Sequence, residues 1–121
     1  MVKRLPCAIS EEDFVKLIEN TKKEEHKLAF LLGYGSGLRV SEIIKLKPQE
    51  VNFKEKRIFI KSGKGEKDRV VPMPKGFKDK HLSMLPFKIG VRALEIAFKN
   101  KAREVIGKDL HFHSLGYFRF F

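Results

Sequence analysis

The sequence of 121 residues lacks the features that mark several classes of protein. Cys7 is its only cysteine, so it can build neither a disulfide framework nor a cysteine-based zinc cluster. No apolar run approaches the roughly 20 residues that a membrane-spanning helix needs. The basic opening MVKRLPCAIS contains no apolar stretch of signal-peptide length, and no internal repeat is visible. We therefore expect a cytoplasmic protein in a reducing environment.

Acidic residues are also scarce relative to basic ones. Lys and Arg total 26 against 15 Asp and Glu, which gives a formal net charge of +11. A small domain with this charge attracts polyanions, of which nucleic acid is the first candidate and an anionic membrane surface the second. The alternative is a solvated Lys/Glu surface of the kind that is common in heat-adapted proteins.

Apolar residues at helical spacing occupy most of the first half of the chain and a long segment near its end. The spacing predicts helices over residues 11–21, 23–34, 40–46 and 87–106. Ser10, with Asp13 three residues on, is typical of a helix N-cap. Gly107 is placed to end the last helix.

The period changes to that of β-structure in the middle of the chain. RIFIK and DRVVPMP are β-rich runs on either side of SGKGEK, which indicates a β-hairpin with a glycine-containing tip. VNF before them can begin another strand, and residues 75–86 are predicted to form a loop. The expected fold class is α+β, mainly helical, with one hairpin or small antiparallel sheet.

The stretch GSGLRVSEIIKLKPQEV places an arginine where a glycine-rich turn enters an amphipathic helix. Arg39 starts at the edge of a core, so its guanidinium can project from a rigid base as a bidentate donor to a phosphate. Glu42 lies three residues on, on the same helix face, and can orient Arg39. The alternative is an ordinary Arg–Glu pair on a helix surface.

The run from Gly37 to Pro74 resembles the catalytic domain of the tyrosine recombinases, the phage-integrase family. The family pattern has an arginine in a G-L-R-x-S/T-E segment, a hairpin with a G-K-G-type lysine, then H-x-L-R-H and later a tyrosine. GLRVSE and SGKGEKDRVVP match the first two parts. The likeness extends from about Ser10 to Leu115 and implies a single partial catalytic domain over residues 1–121, its N-terminal half, without the N-terminal core-binding domain.

In this family a tyrosine hydroxyl attacks a DNA phosphodiester, while arginines and histidine-type groups stabilise the charged transition state. The resemblance implies that Arg39 is the first phosphate-binding arginine, Lys64 the general acid and His113 the first histidine, with Glu42 in support. It implies no metal or other cofactor, because side chains supply the positive charge. The implied partner is double-stranded DNA, with no membrane and no small-molecule substrate.

The hairpin carries three more basic residues that suit contacts to DNA phosphates: Lys61, Lys67 and Arg69. The alternative for these three is a solvated hairpin surface. The histidines of the tail offer a different possibility, because His111 and His113 have the i, i+2 spacing of metal ligands on a strand. No carboxylate or cysteine cluster joins them in the sequence, so we expect no metal site.

The family pattern stops abruptly after Leu115. Gly116 stands where the second arginine belongs and Tyr117 where the second histidine belongs, and residues 116–121 match nothing further. We expect a frame change or gene truncation there, and a protein that binds DNA without cleaving it. The alternative is a non-catalytic accessory or dominant-negative partner of an intact recombinase, and self-association is also open.

Neither tyrosine is expected to act as the nucleophile. Tyr117 lies only four residues after His113, whereas the family tyrosine lies far downstream. Tyr34 falls in the apolar stretch of the second predicted helix and is expected in the core. The aromatic residues of the tail, Phe112 among them, can dock onto apolar surface within the chain or on a neighbouring molecule, and we expect a neighbour because an incomplete core favours self-association.

Overall fold

The computed structural model describes residues 9–61 and 68–117, with side chains as far as Leu115. The helices and strands follow one another as α1 (Glu11–Glu19), α2 (Glu24–Ser36), α3 (Val40–Lys45), β1 (Val51–Asn52), β2 (Arg57–Ile60), β3 (Arg69–Pro72), α4 (Val91–Val105) and α5 (Ser114–Tyr117). The predicted mixed α+β class and order of elements are confirmed. No helix in the described part of the chain has the length and apolar character to cross a bilayer.

Local capping determines where α1 begins and α4 ends. Ser10 Oγ accepts the Asp13 backbone N–H at 3.1 Å, so the chain becomes helical at the next residue. Gly107 has a φ of 78°, and its N–H donates to the carbonyls of Ala102 and Arg103 at 3.0 and 3.1 Å. Both caps were predicted from the sequence and both are confirmed.

An aromatic cluster lies at the centre of the helical part. Phe30 of α2 and Phe98 of α4 are fully buried and meet edge to face, with ring centroids 5.4 Å apart. Phe112 joins them from the segment before α5, 5.5 Å from the Phe98 ring. Phe112 therefore docks within its own chain, and the expectation of docking on a neighbour is wrong for this residue, because the rings of Phe30 and Phe98 already bury it. The predicted docking of the phenylalanines at 118–121 lies outside the described residues.

The three strands form one antiparallel sheet in the order β1-β2-β3. Ile58 pairs with Val71 on the face that packs on the core. Phe59 pairs with Val70 on the other face, where their exposed fractions are 43% and 55%. The predicted hairpin and the strand at VNF are thus confirmed, while its SGKGEK tip lies outside the described residues.

Two predictions for the second half of the chain were wrong, one about a loop and one about the start of a helix. Residues 75–86, predicted to form a loop, contain a 3₁₀ helix at Asp79–Met84. Its first turn is capped by His81, whose Nδ1 accepts the Lys78 N–H at 2.9 Å. Such short turns carry no 3.6-residue apolar period, so the sequence pattern did not reveal this one. The last long helix begins at Val91 instead of residue 87, after Gly90 at its N-cap.

Candidate functional site

The last turn of α2 packs against the residues on either side of His113. Gly33 has no side chain there, and a Cβ at this position would lie 2.9 Å from the Phe112 ring and 3.0 Å from Leu115. Phe112 and Leu115 are both buried against this helix turn. They flank His113 in the sequence, so their packing on α2 fixes the place of the histidine.

The same turn of α2 also holds the end of the hairpin. A Cβ on Gly35 would lie 2.5 Å from the Cβ of Pro74, which is closer than real contacts allow. One residue on, Ser36 Oγ donates to the Pro72 carbonyl at 2.6 Å. Residues 33–36 span about one helical turn, or roughly 5 Å. The hairpin and the segment of His113 therefore both approach α2 within that turn.

Arg39 follows at the end of the same helix. Gly37 ends α2 in the left-handed conformation with a φ of 70°, which glycine adopts without steric cost. Leu38 is buried and anchors the turn, and Arg39 is exposed at the N-cap of α3. Arg39 thus lies at the edge of the core, and its phosphate-binding role stays a prediction.

Glu42 links Arg39 to the hairpin in a way that the sequence did not indicate. Its Oε1 accepts the backbone N–H of Arg39 at 2.9 Å. Its two carboxylate oxygens also accept hydrogen bonds from the guanidinium of Arg69, at 2.6 Å from Nη1 to Oε2 and 2.8 Å from Nη2 to Oε1. Glu42 therefore caps the backbone of Arg39 and is the bidentate partner of Arg69, 27 residues away, while its predicted support of the Arg39 guanidinium stays a prediction.

The pKa of Glu42 reflects these contacts. Burial by itself raises the pKa of the carboxyl. The hydrogen bonds from Arg69 and from the Arg39 backbone, together with the charges of both guanidinium groups, outweigh burial and hold the pKa below its ordinary value of 4.5. Glu42 is therefore ionised at neutral pH, with only 15% of its side chain exposed.

The stability of the protein should fall in two ranges as the pH is lowered. The pKa values of His26 and His81 lie below 6.5 in the folded state, chiefly through burial and then through the nearby Lys23 and Lys80. The unfolded chain binds more protons at these histidines, so the free energy of unfolding decreases from about pH 6.5 downwards. The contribution of Glu42 is complete above about pH 4.5 and is lost as the pH falls through its lower folded-state pKa.

Melting curves from pH 8 to pH 3 measure this dependence. In a Glu42→Gln variant, the decrease in stability below pH 4.5 that Glu42 causes should be absent. The decrease in stability that begins near pH 6.5 should remain. If the variant lost as much stability below pH 4.5 as the wild type does, Glu42 would not be the cause of that loss.

His111 and His113 line an open groove of about 360 Å³ between α4 and the segment before α5. Its lining residues are Arg92, Glu95, Ile96, Lys99, His111, Phe112 and His113. The rings of His111 and His113 are stacked, 5.6 Å apart and 8° from parallel, and both are exposed. Within residues 9–61 and 68–117, no cluster of three or more His, Cys, Asp or Glu side chains is arranged to hold a metal ion.

The remaining residues considered in the sequence analysis are Lys61, Lys64, Lys67 and Tyr34. Lys61 follows β2 and is exposed. Lys64 and Lys67 lie outside the described residues, so their roles stay predictions. Tyr34 stacks on Phe14 with ring centroids 4.0 Å apart, and burial, followed by the charge of Glu11, raises its pKa. This packing agrees with the expected core role of Tyr34.

Comparison with known proteins establishes the family. Residues 8–105 match the model of the phage integrase family. The chain belongs to the phage integrase family. The integrase match includes Arg39, Glu42 and Arg69 and ends before His113, so the assignment of His113 as the first histidine of H-x-L-R-H stays a prediction.

The curated relatives of this integrase-family chain are named as recombinases. The tyrosine recombinase XerA of Thermococcus onnurineus is 48% identical over 75 residues, which cover 60% of this chain and 26% of the relative. The tyrosine recombinase of Thermosipho africanus is 29% identical over 134 aligned residues, 93% of this chain and 46% of the relative. The chain thus spans about a quarter to a half of the length of these relatives.

Solved structures of integrase-family proteins share the fold. A crystal structure of XerA recombinase has a TM-score of 0.77 and 26% identity, over 96% of this chain and 49% of that one. The catalytic domain of bacteriophage HP1 integrase has a TM-score of 0.62 over 94% of this chain and 67% of that one, and at 20% identity this likeness is one of fold. The chain therefore has the fold of part of an integrase catalytic domain.

Proposed function

We propose that this chain binds double-stranded DNA through a surface formed by Arg39 and the β2–β3 hairpin, as part of a site-specific recombination system. The turn at residues 37–39, called the Arg39 turn below, is attached to the hairpin through Glu42 and Arg69. This attachment is the observation that carries the proposal. This attachment places an exposed arginine beside a basic hairpin, on a fold whose relatives are named as recombinases.

The charge of the protein supports the same reading. The formal net charge is +11, and Arg57 and Lys61 are exposed on β2 and directly after it. Basic side chains gain affinity for duplex DNA by releasing counterions from its phosphates, whatever the base sequence. We expect this binding without a metal or other cofactor, because basic side chains supply the positive charge.

The 121-residue polypeptide is proposed to bind DNA without cleaving it. In the family pattern a second arginine follows His113 after two residues, and Gly116 occupies that position here. Loss of one preorganised charge donor costs on the order of 3 kcal/mol of transition-state stabilisation. Tyr34 is packed against Phe14 with a raised pKa, which is unsuited to a nucleophile.

Suicide DNA substrates, which trap covalent intermediates, test both parts of this proposal. The polypeptide should shift labelled duplex DNA in a native gel at low salt and give no covalent adduct in a denaturing gel. An intact XerA-type recombinase on its own site serves as the positive control for adduct formation. An adduct that maps to Tyr34 or Tyr117 would overturn the proposed lack of cleavage, and absence of any shift at low salt would overturn the proposed binding.

The role as a non-catalytic partner of an intact recombinase stays a prediction, as does self-association. Adding the polypeptide to a reaction of an intact recombinase tests the first, since a dominant-negative partner lowers the yield of recombinant product. Light scattering on the polypeptide alone tests the second.

A further inference from the structure

We propose that Arg69 is a positioning residue that acts through Glu42 to hold the Arg39 turn against the hairpin, and that it does not itself contact a DNA phosphate. The inference rests on the proposed function, because it assigns Arg69 a part in forming the DNA-binding surface. It replaces the phosphate contact that the position of Arg69 in the basic hairpin suggests.

The first argument is the geometry of the bidentate pair between the Arg69 guanidinium and the Glu42 carboxylate, called the fork below. Two N–H groups of the Arg69 guanidinium point at the two oxygens of Glu42 at 2.6 and 2.8 Å, which is the planar arrangement that arginine forms with carboxylates. Oε1 also accepts the Arg39 backbone N–H at 2.9 Å. One carboxylate therefore joins the N-cap of α3 to the first residue of β3.

The second argument is that β3 is fixed at both of its ends. At one end the Pro72 carbonyl accepts the hydroxyl of Ser36 on α2, and at the other end Arg69 binds Glu42 on α3. Arg69 is the first residue of β3 and follows the hairpin tip in the sequence, with Lys64 five residues before it. The fork thus determines where the strand that follows the tip begins, relative to Arg39.

The third argument is electrostatic. Glu42 is 15% exposed and lies beside a surface that must attract phosphates. An unpaired carboxylate there would repel them, and burial of an uncompensated charge is costly. Arg69 neutralises Glu42, so the pair adds no net charge to the surface. Arg69 lies on the inward face of β3, across from the buried Ile60, which directs it to α3.

Hydrogen exchange at the Arg39 backbone amide, followed by NMR, tests the link without DNA. Arg69→Met keeps an unbranched side chain like the aliphatic part of arginine and removes the guanidinium, and with it the bidentate pair with Glu42. It should speed exchange at Arg39 about tenfold or more, since bonds to charged groups are among the stronger ones. Lys61→Met, at the exposed end of β2, is the matched control and should leave the rate within about twofold. Exchange at the buried Phe98 should stay unchanged, which separates local loosening from unfolding of the whole chain.

Arg69→Lys is the second variant, in case Arg69→Met does not fold. Lysine keeps the charge but cannot make the fork, so exchange at Arg39 should lie between the wild-type and Met values. Wild-type exchange at Arg39 in either folded variant would overturn the proposal. These measurements do not involve DNA, so they remain decisive even if the chain proves not to bind it.

The salt dependence of DNA binding separates positioning from phosphate contact. The double variant Glu42→Gln with Arg69→Met removes one charge of each sign. We expect weaker binding, by several-fold, at every salt concentration and an unchanged slope of log affinity against log salt. A slope smaller by about 0.9 would mean that Arg69 neutralises a phosphate, and would overturn the proposal.

Discussion

Phe98→Ala should lower the free energy of unfolding by about 3–5 kcal/mol, the usual cost of removing a buried phenyl ring from a core. Phe98 has no exposed surface and contacts both Phe30 and Phe112 through their rings. The substitution leaves a cavity between α2, α4 and the segment before α5, and none of the three can close it without moving the other two. For a chain of this size the melting temperature should fall by roughly 10–20 °C.

Calorimetry or circular dichroism measures this effect, and α4 offers a control. Ile96 is on the same helix with 48% of its surface exposed, so Ile96→Ala should change stability by less than about 0.5 kcal/mol. Equal losses in the two variants would show that the aromatic cluster is not the centre of the core. A loss below about 1 kcal/mol for Phe98→Ala would contradict the packing described here.

Replacing Lys61, Lys64 and Lys67 together with glutamine should flatten the salt dependence of DNA binding. We expect the wild-type polypeptide to bind nonspecific duplex with a Kd of about 10⁻⁴ to 10⁻⁶ M. Each lysine that neutralises a phosphate adds about 0.9 to the slope of log affinity against log salt, so the triple variant should lose up to about 2.7. Fluorescence anisotropy with a labelled duplex between 50 and 200 mM salt gives both quantities.

A charge-matched variant makes the test specific to the hairpin. Lys16, Lys22 and Lys23 are exposed lysines of α1 and the turn after it, and α1 packs against α4. Their replacement by glutamine lowers the net charge equally but should leave most of the slope intact. If both triple variants flatten the slope to the same extent, overall charge and not the hairpin determines binding. Binding that does not respond to salt would contradict an electrostatic interface altogether.

Much of the fold could be predicted because its signals are local. The cap at Ser10, the glycine after α4 and the alternating pattern of the hairpin each depend on residues within a few positions of one another. Arg39 could be placed at the start of a helix for the same reason. The 3₁₀ helix at Asp79–Met84 was missed because so short a turn carries no apolar period.

By itself the sequence determined the order of the elements, the caps and the exposed arginine in a motif that resembles the integrases, since each follows from spacing along one segment. Only the tertiary structure decided how these parts meet. Ser36 and Pro72 are 36 residues apart, and Glu42 and Arg69 are 27 apart, so no periodicity links either pair. Gly35 lets Pro74 pack closely on the last turn of α2, and this packing holds the end of the hairpin beside the helix that leads into α3. A basic residue in a hairpin suggests a phosphate contact from sequence, whereas the carboxylate partner of Arg69 becomes visible only when α3 and β3 are seen to meet.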